Sequence, residues 1–249
     1  MTVVFVHGVP ETPRVWSDLR AQLTVESTAL TLPGFGTPLP AGFTPDKDGY
    51  AAWLVDELKR FDGPVDLVGH DWGALLVLRV ATTAGVELRS WAVDVASVYH
   101  PDYAWHPWAV GLWEAGVGEE TLAARRDAGP DDPAGSVAFQ TGLGVPKDVA
   151  VEMAQAHDET MSRAILGLYR SAVPNVSADW GAAAERPTAS PGLVVFASAD
   201  AVENEQRSRE MADRLGARWV PIEGSGHWWM FDPTGQVAST LEEFWASAR

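Results

Sequence analysis

The segment Gly69-His70-Asp71-Trp72-Gly73 places a carboxylate where a covalent nucleophile could stand. It follows the apolar run Val65-Asp66-Leu67-Val68 and precedes the amphipathic run Ala74-Leu75-Leu76-Val77-Leu78. A strand, a sharp turn and a helix, with glycines two before and two after the central residue, make a nucleophile elbow. The usual occupant of such a turn is serine, whose alkoxide attacks acyl carbon. A carboxylate is better suited to displacing a leaving group from saturated carbon, giving an alkyl-enzyme ester that water then cleaves. Asp71 therefore points to hydrolysis of an epoxide or an alkyl halide. The positive end of the following helix would keep it ionised. The plain alternative is a helix-capping aspartate, but a cap needs neither flanking glycine.

Cleavage of such an ester needs a base. His227 follows a strand-like run at 217–222 and the loop Glu223-Gly224-Ser225-Gly226, and an imidazole titrating near neutrality can take a proton from water. Asp200 ends the run Val194-Val195-Phe196-Ala197-Ser198-Ala199, where it would fix the imidazole tautomer and stabilise the imidazolium. A turn-forming loop aspartate is the alternative there. Asp94 is a poorer acid because it reads as mid-strand, and beyond that strand no carboxylate follows until Asp102. His7 and His70 read as packing or hydrogen-bonding residues, and His100, His106 and His157 as surface or buried residues of the central segment. No histidine pair has metal-ligand spacing, and no cofactor or metal is implied.

The elements that must position these groups alternate. Strands are expected at 2–6, 27–32, 65–68, 89–96, 192–197 and 217–222. Helices are expected at 15–23, from Thr44-Pro45 to Gly63-Pro64, at 73–83, at 205–215 up to Gly216, and from an Asp232-Pro233 cap onward. In the second of these helices Tyr50, Trp53 or Leu54, Val55, Leu58 and Phe61 face the core; in the last, Val237, Leu241, Phe244 and Trp245 do. Six strands alternating with helices imply an α/β fold, a mostly parallel sheet flanked by helices on both faces. Residues 98–187 break the alternation. They hold helical stretches at 119–126, 147–157 and 160–169 but no convincing strand. The expected organisation is a core formed by 1–97 and 188–249, with 98–187 inserted as a helical cap over the carboxyl ends of the strands, where open α/β sheets bind ligands.

With His7-Gly8-Val9-Pro10, the elbow, Asp200 and Gly226-His227-Trp228 in this order, the chain resembles α/β-hydrolases of the branch that holds epoxide hydrolases and haloalkane dehalogenases. The resemblance implies an Asp71–His227–Asp200 triad and an oxyanion hole from the amides of Val9 and Trp72, with a cis peptide before Pro10. The family's usual amino-terminal strand pair is absent from the sequence. Leu168-Tyr169-Arg170 is similar to the Tyr-Arg pair of epoxide hydrolases, which implies that Tyr169 protonates the epoxide oxygen. The position of a first ring-opening tyrosine falls near Gly111; Tyr103 could replace it or serve only in packing. Val9 stands where many dehalogenases have a halide-binding asparagine. Trp72 with a tryptophan of the central segment could still hold a halide. The expected activity is opening of an apolar epoxide to a diol. A haloalkane dehalogenase using the same triad is the alternative, and a non-catalytic ligand-binding protein on the same fold is another.

The 249 residues carry 34 Asp and Glu against 18 Lys and Arg, a formal charge of −16, which argues against nucleic acid and anionic membrane partners. There is no cysteine, which excludes disulfides and thiolate chemistry. No basic leader precedes the first strand and no apolar stretch could span a bilayer, so a cytoplasmic location is expected. The expected partner is a small apolar substrate; a homodimer is compatible with the sequence. Twelve tryptophans are many for this length, and most are expected in the core.

Overall fold

A computed structural model of the chain describes residues 2–83 and 85–248. Six strands run parallel in the order β2-β1-β3-β4-β5-β6: β1 (Val3–Val6), β2 (Ser27–Leu30), β3 (Val65–Gly69), β4 (Leu88–Val93), β5 (Gly192–Ala197) and β6 (Arg218–Ile222). The α/β-hydrolase architecture expected from the sequence is what forms. β1, β3 and β5 are buried along their whole length, as strands covered on both faces must be. Alternate residues of these strands feed two separate cores. Val4, Val6, Leu67, Trp91 and Val194 pack on one side with α2 (Lys47–Leu58), α3 (Trp72–Thr82) and α10 (Glu205–Leu215). Val3, Phe5, Val68, Ala92 and Val195 pack on the other with α1 (Ser17–Gln22) and α11 (Gln236–Ser247). Eight of the twelve tryptophans are buried, six of them completely.

Between β4 and β5 the described residues hold no strand. The segment carries α4 (Pro107–Trp113), α5 (Val117–Asp127), α6 (Ser136–Gly142), α7 (Lys147–Ala156), α8 (Glu159–Ser171) and α9 (Ser177–Trp180), after a short 3-10 turn at Ala96–Tyr99. α4, α5 and α8 join the first core, whereas α6 and α7 join the second, so the insert straddles the sheet edge. Among the described residues no helix is long and apolar enough to cross a membrane.

Several boundaries differ from the sequence reading. α2 is capped by Asp46, whose carboxylate accepts the Gly49 amide at 2.7 Å; the Thr44-Pro45 pair forms the preceding turn. An ionised cap accepts a stronger hydrogen bond than threonine can offer. The last helix starts after Gly235, at φ 74°, and not at Asp232-Pro233. The expected first helix is split into a 3-10 turn at Pro13–Trp16 and α1. β4 stops at Val93, because Val95 adopts a left-handed φ of 40° that no strand can contain. Asp94 is therefore not mid-strand. It stands just beyond the carboxyl end of β4, beside the elbow.

Candidate active site

Three loops at the carboxyl ends of β3, β5 and β6 bring Asp71, Asp200 and His227 together. Asp71 sits at φ 52° and ψ −123°, a conformation costly for a residue with a side chain and held only by what surrounds it. The neighbouring glycines are what allow it. A Cβ at Gly69 would strike the backbone of Gly73 and Ala74, one at Gly73 would strike the carbonyl oxygens of Val6 and His7, and one at Gly8 would strike the Asp71 carboxylate. The turn thus aims the carboxylate out of the sheet.

The Val9 amide donates to Asp71 Oδ1 at 2.9 Å, and the Trp72 amide stands close enough to stabilise the charge of this carboxylate. The Val9–Pro10 peptide is cis. Asp71 Oδ2 lies 3.8 Å from His227 Nε2, too far for a hydrogen bond, so this oxygen is free to react. The other ring nitrogen, Nδ1, is 2.8 Å from Asp200 Oδ2, and the Val202 amide donates to Asp200 Oδ1 at 2.9 Å. Burial pushes the Asp71 carboxyl up to about 6, against the opposing pull of the His227 and His70 charges. Burial also opposes charge on His227, but the hydrogen bond and charge of Asp200 outweigh it and raise the imidazole above its usual value.

Beneath these three residues lies a buried ionic group that the sequence reading did not find. His70 is fully buried between two carboxylates, with Nε2 3.0 Å from Glu11 Oε1 and Nδ1 2.5 Å from Asp94 Oδ2. Burial disfavours its charge, yet the two carboxylates hold its pKa well above the usual imidazole range. Each carboxylate is used on both oxygens. Glu11 also accepts the Gly8 amide and the Trp228 indole N–H, at 2.8 and 2.6 Å. Asp94 also accepts the Asp71 amide at 3.0 Å and the Trp229 indole at 2.5 Å. The group therefore ties the elbow to the two residues that follow His227, and the His70 ring lies 4.7 Å from that of His227. His7 stays neutral, because burial lowers its pKa to about 4; Nδ1 donates to the Gly8 carbonyl while Nε2 accepts the Leu32 amide.

A cavity of about 470 Å³ opens above Asp71. Val9, Asp71, Asp200 and His227 line its floor, and His106, Trp108, Phe139 and Tyr169 of the insert line its roof. Tyr169 is held edge-on to Trp72, Trp105 and Trp108, with centroids 5.2, 5.3 and 5.4 Å away. Burial and the charge of Asp71 raise its phenol well above the usual value, so it is neutral. The Trp72 indole stacks under Trp105 and does not line the cavity; its N–H lacks a well-formed hydrogen bond, and Tyr169 is the polar group beside it. Tyr103 is not brought to the cavity either. It packs edge-on against Trp105, with a buried hydroxyl that has no partner. His106, which the sequence gave no reason to single out, does reach it. Its Nδ1 accepts the Ala109 amide at 3.3 Å as the cap of α4, and burial keeps the ring neutral.

Residues 3–240 match the alpha/beta hydrolase family. The chain belongs to that family. No curated protein matches the sequence. Among solved structures it is similar to the haloalkane dehalogenase DbeA from Bradyrhizobium elkani, at 20% identity and a TM-score of 0.75, over 99% of this chain and 90% of that one. It is similar also to the Cif epoxide hydrolase from Acinetobacter nosocomialis, at 18% identity and a TM-score of 0.74, over 98% of this chain and 82% of that one. At such identities the likeness is one of fold.

Proposed function

We propose that this alpha/beta hydrolase opens an apolar epoxide to a diol through an ester on Asp71. The observation that carries this reading is the cavity lining. The Tyr169 phenol faces the same space as Asp71 and His227, whereas the Trp72 indole, which a departing halide would need, lies outside it. Asp71 Oδ2 attacks a ring carbon, the C–O bond breaks, and Tyr169 gives its proton to the oxygen that leaves. An alkoxide is far more basic than a phenolate, so this transfer is downhill even from a phenol whose pKa is raised. Oδ1, already on the Val9 amide, becomes the ester carbonyl. Water then attacks that carbonyl as His227 Nε2 takes its proton, Asp200 stabilises the imidazolium, and the Val9 and Trp72 amides hold the oxyanion. Collapse breaks the bond between the Asp71 carbonyl carbon and the alkoxy oxygen; His227 gives its proton to that oxygen, which completes the diol, and the proton left on the new carboxyl returns to Tyr169.

Charge links the two steps. The Asp71 carboxylate helps to hold His227 protonated. Esterification removes that charge, lowers the imidazole pKa and so leaves the ring neutral and able to accept a proton when the water must be deprotonated.

Two halogen-oriented features support a second reading. The indole N–H groups of Trp72 and Trp108 are both buried without partners, and Trp108 lines the cavity. The purified protein, assayed with terminal and aryl epoxides and separately with haloalkanes, is expected to form diols and release no halide. Tyr169→Phe should reduce diol formation by about 10²-fold or more, the usual weight of a lost general acid. Halide release with inert epoxides would overturn the reading.

Ester formation should also carry an acid limb. Asp71 attacks only when ionised, and its pKa is raised to about 6. The single-turnover rate of substrate consumption is therefore expected to fall as pH drops through that value. A rate that holds level down to about pH 4, the range of an ordinary aspartate, would contradict the buried nucleophile.

A further inference from the structure

A second cavity, of about 350 Å³, lies within the insert between α5, the start of α6 and α7. Two arginines border it, and they differ. Arg126 is neutralised, with Nε and one terminal nitrogen on the Asp127 carboxylate at 2.8 and 3.2 Å. Among the described residues, Arg125 has no carboxylate or carbonyl partner for its guanidinium. It is half-buried and lies against two neighbouring aromatic rings, 4.1 Å from the centroid of Phe139 and 5.4 Å from that of Trp108. Cation–π contact fixes the plane of a guanidinium without supplying hydrogen-bond acceptors. Desolvation without compensation weakens its hold on its proton, in keeping with an unfilled anion position.

His157 stands on the same wall as a neutral, uncharged neighbour. It borders the cavity, is only 6% exposed, and its Nε2 is 3.0 Å from Ser162 Oγ. Among the described residues its buried Nδ1 has no partner. Burial, reinforced by the Arg126 charge, lowers its pKa to about 4, so the ring is neutral. Buried polar atoms rarely stay unpaired.

The remaining wall is chiefly apolar, from Val137, Val151 and Ala154. Two carboxylates act on this region. Asp127 is held by Arg126, and Asp158 caps α8 through the Met161 amide at 2.8 Å. They disfavour an anion of more than one charge. We propose that this cavity is a second ligand site, taking a small monocarboxylate with a compact apolar body. The carboxylate pairs with the Arg125 fork, and the body lies on the aliphatic wall. Phe139 and Trp108 line the cavity above Asp71 as well, so Arg125 stands at the partition between the two spaces.

The test is calorimetric titration of the whole protein with benzoate, benzamide and inorganic phosphate, and it needs no assumption about the reaction above Asp71. Benzoate should bind at one site, with benzamide and phosphate weaker by about tenfold or more. Arg125→Gln should weaken benzoate by about tenfold or more, the effect of losing a charge-assisted pair. Ala154→Phe, whose ring would occupy the cavity and leaves every charge in place, should abolish binding. Folding of both variants is checked by thermal melting. Absence of benzoate binding, equal binding of benzamide, or benzoate binding that survives both substitutions would overturn the site.

Discussion

Replacing Asp71 by alanine is expected to lower diol formation by roughly 10⁴-fold or more, the loss typical of removing a covalent nucleophile. The fold should survive the change. The elbow is held through backbone, by the Asp71 amide on Asp94 Oδ1 and the Asp71 carbonyl on the Leu75 amide, and neither bond needs the carboxylate. Thermal stability is expected to stay level or rise. The Asp71 pKa is raised on folding, so the unfolded chain carries this charge more easily, and at neutral pH the carboxylate opposes folding. That opposition fades as pH falls through about 6 and the folded protein takes up the proton, so the gain from alanine should be larger at pH 8 than at pH 5. Turnover and melting temperature, measured on the same preparation, separate the two effects. An Asp71→Ala protein that is folded and still makes diol would remove Asp71 from the mechanism.

Such a trade of stability for reactivity also explains which parts of the site were legible in the sequence. The glycines around Asp71 could be read because close backbone approach leaves glycine as the only residue that fits. β5 and α10 were readable end to end: β5 is a buried β-branched run, and α10 opens at the Asn204 cap and stops at Gly216, φ 66°. The short helices α4, α6 and α9 were not, since four to seven residues give too few turns for an apolar period to register. Asp94 was misjudged because nothing local marks Val95 as left-handed. Glu11 was invisible for a different reason. Its partners His70 and Trp228 are 59 and 217 positions away in the chain, and a carboxylate after His-Gly-Val-Pro reads as solvated until the fold buries it. In the same way, the direction of the Trp72 indole is set by Trp105 and Tyr169, both from the insert. Residue type and spacing put Asp71, His227 and Asp200 forward as candidates, and the family resemblance put Tyr169 forward; packing decided that Tyr169 lines the cavity and Tyr103 does not.

His227→Gln should split the reaction in two. Ester formation uses Asp71 and Tyr169, and both remain. Ester hydrolysis loses its base, and glutamine cannot take a proton, so steady turnover should drop by about 10³-fold or more. The ester should then accumulate to nearly one per protein chain. The pH of the experiment matters, because the His227 charge is one of the influences that pull the Asp71 pKa down. Without it that pKa rises above about 6, and at neutral pH less of the carboxylate is ionised. The variant should therefore alkylate more slowly than the wild type at pH 7 and recover as the solution is made more alkaline. Mass spectrometry reads both the amount and the chemistry. Ring opening adds the whole mass of the epoxide, since the proton from Tyr169 stays on the product oxygen, whereas displacement of a halide adds the alkyl group alone, less one hydrogen. A full-mass adduct on the peptide containing Asp71 would support the covalent epoxide route. An alkyl-only adduct would turn the reading to dehalogenation. A variant that loses turnover and carries no adduct at any pH would count against an ester intermediate, and would leave His227 activating water directly on the substrate.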